Sequence, residues 1–165
     1  MKVAITGHTS GLGAALYNKY SELHQVKGFS RSNGYNINDY KTIGKAIVDY
    51  DIFINNACDK FSQIDMINYV FSMWRNHKKT IVNISSLASS NFQTVLTKQL
   101  SPYAVHKSAL DTAVMQLQLM KKPCKVINVR PGYIDKDNIN VNALAEQIYD
   151  LSFNELNIVS ISIAE

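Results

Sequence analysis

Short runs of β-branched and aliphatic residues recur along the whole chain, and stretches with helical spacing separate them. Val3-Ala4-Ile5-Thr6 is the first such run, and residues 26–30, 51–55, 80–85, 125–129 and 158–163 repeat the type. A short apolar run without polar alternation reads as a strand buried on both faces. Between the runs, apolar residues fall three or four apart, as on one face of a helix. Leu12, Ala15, Leu16 and Tyr20 form one such set, and Ile43, Ala46, Ile47 and Tyr50 a second. Ile64, Ile67, Val70, Phe71 and Trp74 form a third, and Leu110, Ala113, Val114 and Leu117 a fourth. Asp39 and Ser101, the latter followed by Pro102, are expected helix N-caps. A last helix is expected over 141–151, and a short strand or turn near 35–38. Strict β/α alternation predicts an α/β fold, a doubly wound parallel sheet of about seven strands with helices on both faces. With 165 residues and no linker or repeat, the chain reads as one domain over 1–165.

Composition narrows the function classes. Hydrophobic residues make up 46% and charged residues 18%, enough apolar material for one core. The net charge of +4 is scattered, with only pairs such as Lys78-Lys79 and Lys121-Lys122, so no nucleic-acid partner is expected. The two cysteines, Cys58 and Cys124, make no disulfide framework and no zinc spacing, and read as reduced, partly buried thiols. His8, His24, His77 and His106 form no metal set. No apolar stretch approaches a membrane span, so the expectation is a cytoplasmic protein with no membrane partner.

Gly7, Gly11 and Gly13 lie between the first apolar run and the first helix, in Thr6-Gly7-His8-Thr9-Ser10-Gly11-Leu12-Gly13. Glycines at such a strand-to-helix junction allow a sharp turn, backbone approach to a pyrophosphate and close helix–strand packing. The helix N-terminus then offers free N–H groups to the anion. The loop therefore predicts a Rossmann-type dinucleotide site, with Gly7, Thr9, Ser10, Gly11, Leu12 and Gly13 as contacts. His8 reads either as an ordinary loop residue or as a contact to an adenosine phosphate. Such folds read the adenosine ribose at the end of the second strand, with a carboxylate for NAD and an Arg for NADP. Here that strand ends in Ser30-Arg31-Ser32, so NADP(H) is favoured over NAD(H).

The spacing Thr-Gly-x-x-x-Gly-x-Gly resembles that of the short-chain dehydrogenase/reductase family. Four further motifs of that family follow in order over nearly the whole chain: Asn55-Asn56-Ala57, Asn83-Ile84-Ser85-Ser86, Tyr103-x-x-x-Lys107 and Arg130-Pro131-Gly132. The resemblance implies hydride transfer between a nicotinamide cofactor and a small carbonyl or alcohol substrate. Tyr103 would be the acid/base, Lys107 would lower its pKa and bind the nicotinamide ribose, and Ser86 would orient the substrate oxygen. Ser85 is the lesser candidate for that last role. Asn36 and Ile37 would lie by the adenine, Asn55, Asn56 and Ala57 by the adenosine ribose, and Pro131, Gly132 and Ile134 by the nicotinamide. Lys136 stands where relatives commonly place a Thr that contacts the cofactor's phosphates.

The chain also departs from the pattern. Cys58 follows Asn55-Asn56-Ala57 where the family has glycine. No Asn fits the family's fourth catalytic position, for which Gln63 or Asn68 could substitute, unless the water relay there is incomplete. The loop 87–100 is enlarged and the substrate lid after Gly132 is short, which implies an open site or one completed by another subunit. The family's mode of assembly implies a homodimer or homotetramer through the helices over 64–77 and 103–120. Two other functions stay open: a non-catalytic NADP(H)-binding sensor or regulatory module, and an isomerase or epimerase that uses a nicotinamide transiently.

Overall fold

The computed structural model describes residues 1–90, 101–134, 139–156 and 158–164. Six parallel strands form one sheet in the order β2-β1-β3-β4-β5-β6. They are β1 (Lys2–Thr6), β2 (Gln25–Phe29), β3 (Ile52–Asn55), β4 (Thr80–Ile84), β5 (Lys125–Pro131) and β6 (Ser160–Ile163). The helices are α1 (Gly11–Ser21), α2 (Tyr40–Ala46), α3 (Ser62–Trp74), α4 (Pro102–Leu119) and α5 (Val141–Phe153).

Successive side chains of a strand point to opposite faces, so one apolar run feeds two cores. In β1, Val3 and Ile5 pack with Leu16 and Tyr20 of α1 and Leu144 and Ile148 of α5. Ala4 faces the other way, toward Ile43 of α2, Trp74 and Met66 of α3, and Leu110 and Val114 of α4. Helices therefore cover both faces, as the unalternating strands predict. Trp74 is fully buried in the second core.

Where about seven strands were expected, six form among the described residues. Residues 35–38, read as a short strand or turn, make the turn: Asn36 Oδ1 accepts from the Asn38 amide at 3.0 Å, and the Asn36 carbonyl accepts from Asp39 N. An Asn that bonds the backbone two residues on favours a turn over a ladder. Asp39 and Ser101 cap α2 and α4, accepting from Thr42 N at 3.4 Å and Ala104 N at 3.3 Å. Cys124 is buried, but Cys58 is exposed, against the expectation of two partly buried thiols. Its turn at the end of β3 opens into a cleft and not into a core.

The order reverses between β1 and β3, whose following helices α1 and α3 pack on opposite faces. In an open parallel sheet, the crevice beyond the strand C-termini at such a point is where ligands bind.

Candidate active site

Two cavities lie along the C-terminal edge of the sheet. The first, about 720 Å³, is lined by Gly7, Thr9, Ser10, Leu12 and Gly13 of the glycine loop. Ser30, Arg31 and Ser32 after β2, Asn36 and Ile37, and Asn56 and Ala57 after β3 complete it. Gly7 adopts a φ of 72°, which glycine tolerates without strain. A Cβ on Gly13 would stand 2.0 Å from the Gly7 carbonyl oxygen. The turn is thus held close enough that its backbone faces the cavity. Asn56 ties the loop to β3, donating from Nδ2 to Thr6 O at 3.0 Å, while its own amide donates to Thr6 Oγ1 at 3.0 Å. No acidic residue occupies the first turn of α1, so nothing opposes an anion there.

The turn after β2 is also prearranged. Ser30 Oγ and Ser32 Oγ are 2.8 Å apart, and Asn33 joins Ser30 N to the Gly28 carbonyl through its amide. Arg31 is exposed at the rim. Asp59, the one carboxylate among the described lining residues, already accepts from Asn38 Nδ2 at 2.8 Å.

The second cavity, about 940 Å³, brings together Ser85, Ser86, Tyr103, Lys107, Pro131, Gly132 and Ile134. Leu12, Asn56 and Cys58 line both cavities, so the cleft is continuous past the end of β3. Ser86 caps a short 3-10 turn, Leu87–Ser89, accepting from Ala88 N at 3.2 Å. Tyr103 opens α4 and is half-exposed; Lys107, one turn on, is 3% exposed. Lys107 Nζ lies 5.5 Å from the centre of the Tyr103 ring. The Ser85 hydroxyl is buried without a partner and belongs to the same cavity.

The electrostatics depart from expectation at Tyr103. Instead of a lowered pKa, partial burial raises the phenol above its ordinary value, and the nearby Ser86 hydroxyl only moderates the rise. Lys107 points its hydrogen bonds away from the phenol. Its ammonium donates to Gln63 Oε1 at 2.8 Å and to the Ile84 carbonyl at 2.8 Å. Burial in turn lowers the pKa of Lys107.

Several other residues sit elsewhere than the sequence suggested. Asn55 is fully buried and donates to Asn83 Oδ1 and to the Gln63 carbonyl, so it lines neither cavity. Gly11 lines neither cavity as well. His8 turns away from the cleft: its ring occupies the space that a Cβ on Gly28 would take and lies 5.3 Å from the Tyr17 ring. Gln63 reaches Lys107, whereas Asn68 is exposed on the outer side of α3. Lys136 and most of the enlarged loop, residues 91–100, lie outside the described residues. Sequence reasoning missed Cys58 as the junction of the two cavities, and Ala164, which reaches the second cavity from the end of β6. It also missed Asn83, Asn128 and Asp111 as one hydrogen-bonded set. A signal for that set exists, because an Asn stands late in each of three successive apolar runs.

No family model matches the sequence, and no curated protein matches it. Solved structures do. Serine dehydrogenase from Escherichia coli superposes with a TM-score of 0.83 at 17% identity, covering 100% of this chain and 98% of that one. A short-chain dehydrogenase from Burkholderia cenocepacia in complex with NADP gives 0.76 at 17% identity, over 98% and 88%. An oxidoreductase of the short-chain dehydrogenase/reductase family from Brucella ovis, with a partially ordered NAD, gives 0.74 at 20% identity, over 98% of both chains. The chain has the short-chain dehydrogenase/reductase fold. Its cleft lies at the β1–β3 reversal, where an open parallel sheet takes its ligands, and the close glycine turn, acid-free helix start and paired serines would fit the phosphates of a dinucleotide. Among the described residues, no helix is long and apolar enough to cross a membrane, and no group of three or more potential metal ligands occurs.

Proposed function

We propose that the protein is an NADPH-dependent oxidoreductase that interconverts a small carbonyl compound and its alcohol. The observation that carries this reading is Lys107. A buried ammonium beneath the face of an accessible phenol, in one cavity with Ser86 and open to the glycine-loop cradle, is an arrangement suited to proton transfer at an oxygen.

Gly7, Thr9, Ser10, Leu12 and Gly13 would hold the pyrophosphate, and Asn36, Ile37, Asn56 and Ala57 the adenosine. Pro131, Gly132 and Ile134 would border the nicotinamide. When bound, the nicotinamide supplies the hydride that reaches the substrate carbon. The chain's own residues handle the oxygen. Ser86 donates a hydrogen bond that fixes the carbonyl, and Tyr103 delivers the proton from its hydroxyl as charge develops there. Lys107 then stabilises the phenolate left behind and offers its remaining N–H to the ribose. The raised pKa of Tyr103 keeps the phenol protonated through neutral pH, which suits reduction. Alcohol oxidation needs the phenolate, so its rate should climb with pH above neutrality.

Ser30, Arg31 and Ser32 support NADPH as the preferred cofactor, since two hydroxyls and a guanidinium can surround a phosphate and no free carboxylate faces them. Lys107 is the one charged residue in the described lining of the second cavity, beside Leu87, Ala88, Tyr133 and Ile134. A neutral substrate with apolar flanks fits that surface. Val105, Met115 and Leu119 stand exposed on α4 and Met120 just beyond it, which supports a homodimer or homotetramer through the outer face of α4, whereas the exposed positions of α3 are Asp65, Asn68 and Ser72.

Tyr103→Phe tests the reading. Turnover of NADPH with a panel of aliphatic and aromatic carbonyls should fall by about 10³-fold, while NADPH affinity, read by fluorescence titration, stays near that of the wild type. Equal turnover in the variant would sink the proposal. NADPH binding without turnover by the wild type would favour the sensor instead.

A further inference from the structure

Lys107 is held by more than its helix. Two of its three N–H groups are engaged before any ligand arrives, by Gln63 Oε1 and the Ile84 carbonyl. Gln63 is itself 1% exposed in the first turn of α3. Its Nε2 donates to the Asn55 carbonyl at 2.8 Å and to Ile84 O at 3.2 Å. That orientation of the amide is the one that turns an acceptor toward the ammonium, since the flipped amide would set N–H groups against it.

Asn55 returns a bond to Gln63, donating from Nδ2 to the Gln63 carbonyl at 3.0 Å. From there a ladder of side-chain amides crosses the sheet. Asn55 Nδ2 donates to Asn83 Oδ1 at 2.9 Å, and Asn83 Nδ2 to Asn128 Oδ1 at 2.9 Å. Strand register produces this alignment: Asn55 pairs with Asn83, and Asn83 with Asn128. Asn128 Nδ2 then donates to Asp111 Oδ1 at 2.8 Å. Asp111 lies four residues after Lys107 on α4, so the chain of bonds returns to the helix it left. All these amides point the same way, from the lysine side to the carboxylate. The other carboxylate oxygen, Asp111 Oδ2, accepts from Ser89 Oγ at 2.5 Å, on the short turn that Ser86 caps.

We propose that Gln63 is a positioning residue that fixes the Lys107 ammonium beneath Tyr103, and that the Asn55–Asn83–Asn128–Asp111 ladder holds the strand ends whose Asn55 and Ile84 backbone carbonyls grip the Gln63 amide. Its meaning for catalysis rests on the oxidoreductase reading above. A donor set in place before the reaction need not reorganise when charge develops, and the chain of amide bonds restrains the side chains it joins, although Asn55 Oδ1 itself is buried without a partner. With two N–H groups committed, the ammonium keeps a single N–H for the cleft. Asp111, Cys58 and Tyr103 are the titratable groups near Lys107, and the Asp111 carboxylate does not remove the need for the amide, because burial outweighs its charge.

The test reads Lys107 directly. Lysine-selective ¹⁵N and ¹³C NMR follows the Nζ proton exchange and the titration of this ammonium in the full chain without cofactor, with Lys107→Met used to assign the signal. Gln63→Leu should speed the exchange and weaken proton binding at Lys107, each by roughly tenfold. The near-isosteric Gln63→Glu restores an acceptor and should strengthen proton binding by roughly tenfold or more. A Lys107 signal unchanged in Gln63→Leu, or an unmoved titration in Gln63→Glu, would overturn the proposal. If Gln63→Leu does not fold, the Glu variant decides alone. Neither readout depends on turnover, so a protein inactive with every carbonyl refutes the oxidoreductase reading and leaves this result standing. An active enzyme with an unmoved lysine does the reverse.

Discussion

The two halves of the cleft are made differently. The half at the glycine loop presents backbone: Gly7 and Gly13 line it because nothing larger fits, and its side chains come from short polar turns. The half at Tyr103 presents side chains whose positions depend on partners far off in sequence, Lys107 on Gln63 and, behind it, Asn55 on Asn83. Backbone geometry fails sharply when one atom is added, whereas a side-chain network fails by degrees as its members are removed.

The sharpest way to break that contrast is Gly13→Ala. The new Cβ would stand 2.0 Å from Gly7 O and 2.7 Å from Asn56 Nδ2, inside any permitted contact. Separating the turn from the helix should cost about 3 kcal/mol or more in urea unfolding, and NADPH binding should be lost with it. Gly11→Ala is the control. Gly11 has open space around it and only its φ of 52° to object, so that variant should lose about 1 kcal/mol. Equal losses in the two would show that close approach is not what makes the loop.

Asn83→Leu probes the other half. It removes the middle rung, leaving Asn128 Oδ1 without its donor and Asn55 Nδ2 without one of its acceptors. Stability should fall by about 2 kcal/mol, measured by urea unfolding, while NADPH affinity stays close to that of the wild type because the glycine loop is untouched. Loss of NADPH affinity in proportion to stability would mean that the halves are one unit.

The difference between the halves also decides what could be read from sequence. A glycine turn is local, so the positions of Gly7, Ser10 and Gly13 follow from their spacing after residues 3–6. The caps Asp39 and Ser101 and the one-turn separation of Tyr103 from Lys107 are local as well. The ladder is not local. Asn55, Asn83 and Asn128 meet only because three parallel strands align in that register, which no single run of residues reveals. The direction of the Tyr103 shift depends on burial, a consequence of packing. Residues 35–38 alternate Tyr35 and Ile37 with two Asn, which leaves strand and turn open, and the side-chain bond of Asn36 decides for the turn.

The smallest expected effect sharpens the backbone half, by asking what its one exposed cation adds. Arg31 sits between Ser30 and Ser32, whose hydroxyls are already joined at 2.8 Å, and Asn33 fixes the turn from beneath. The turn should therefore keep its shape when the guanidinium is removed. What changes is the charge available to a 2′-phosphate at an exposed rim, where water screens it. Arg31→Ala should then weaken NADPH binding by about tenfold, or about 1.4 kcal/mol, with NADH affinity unchanged and with unfolding midpoints that coincide. Parallel titrations of both cofactors, repeated at higher salt, check this, because a charge contribution should shrink as screening rises. An unaltered ratio of the two affinities would remove Arg31 from cofactor choice and leave the serines to account for any preference that remains.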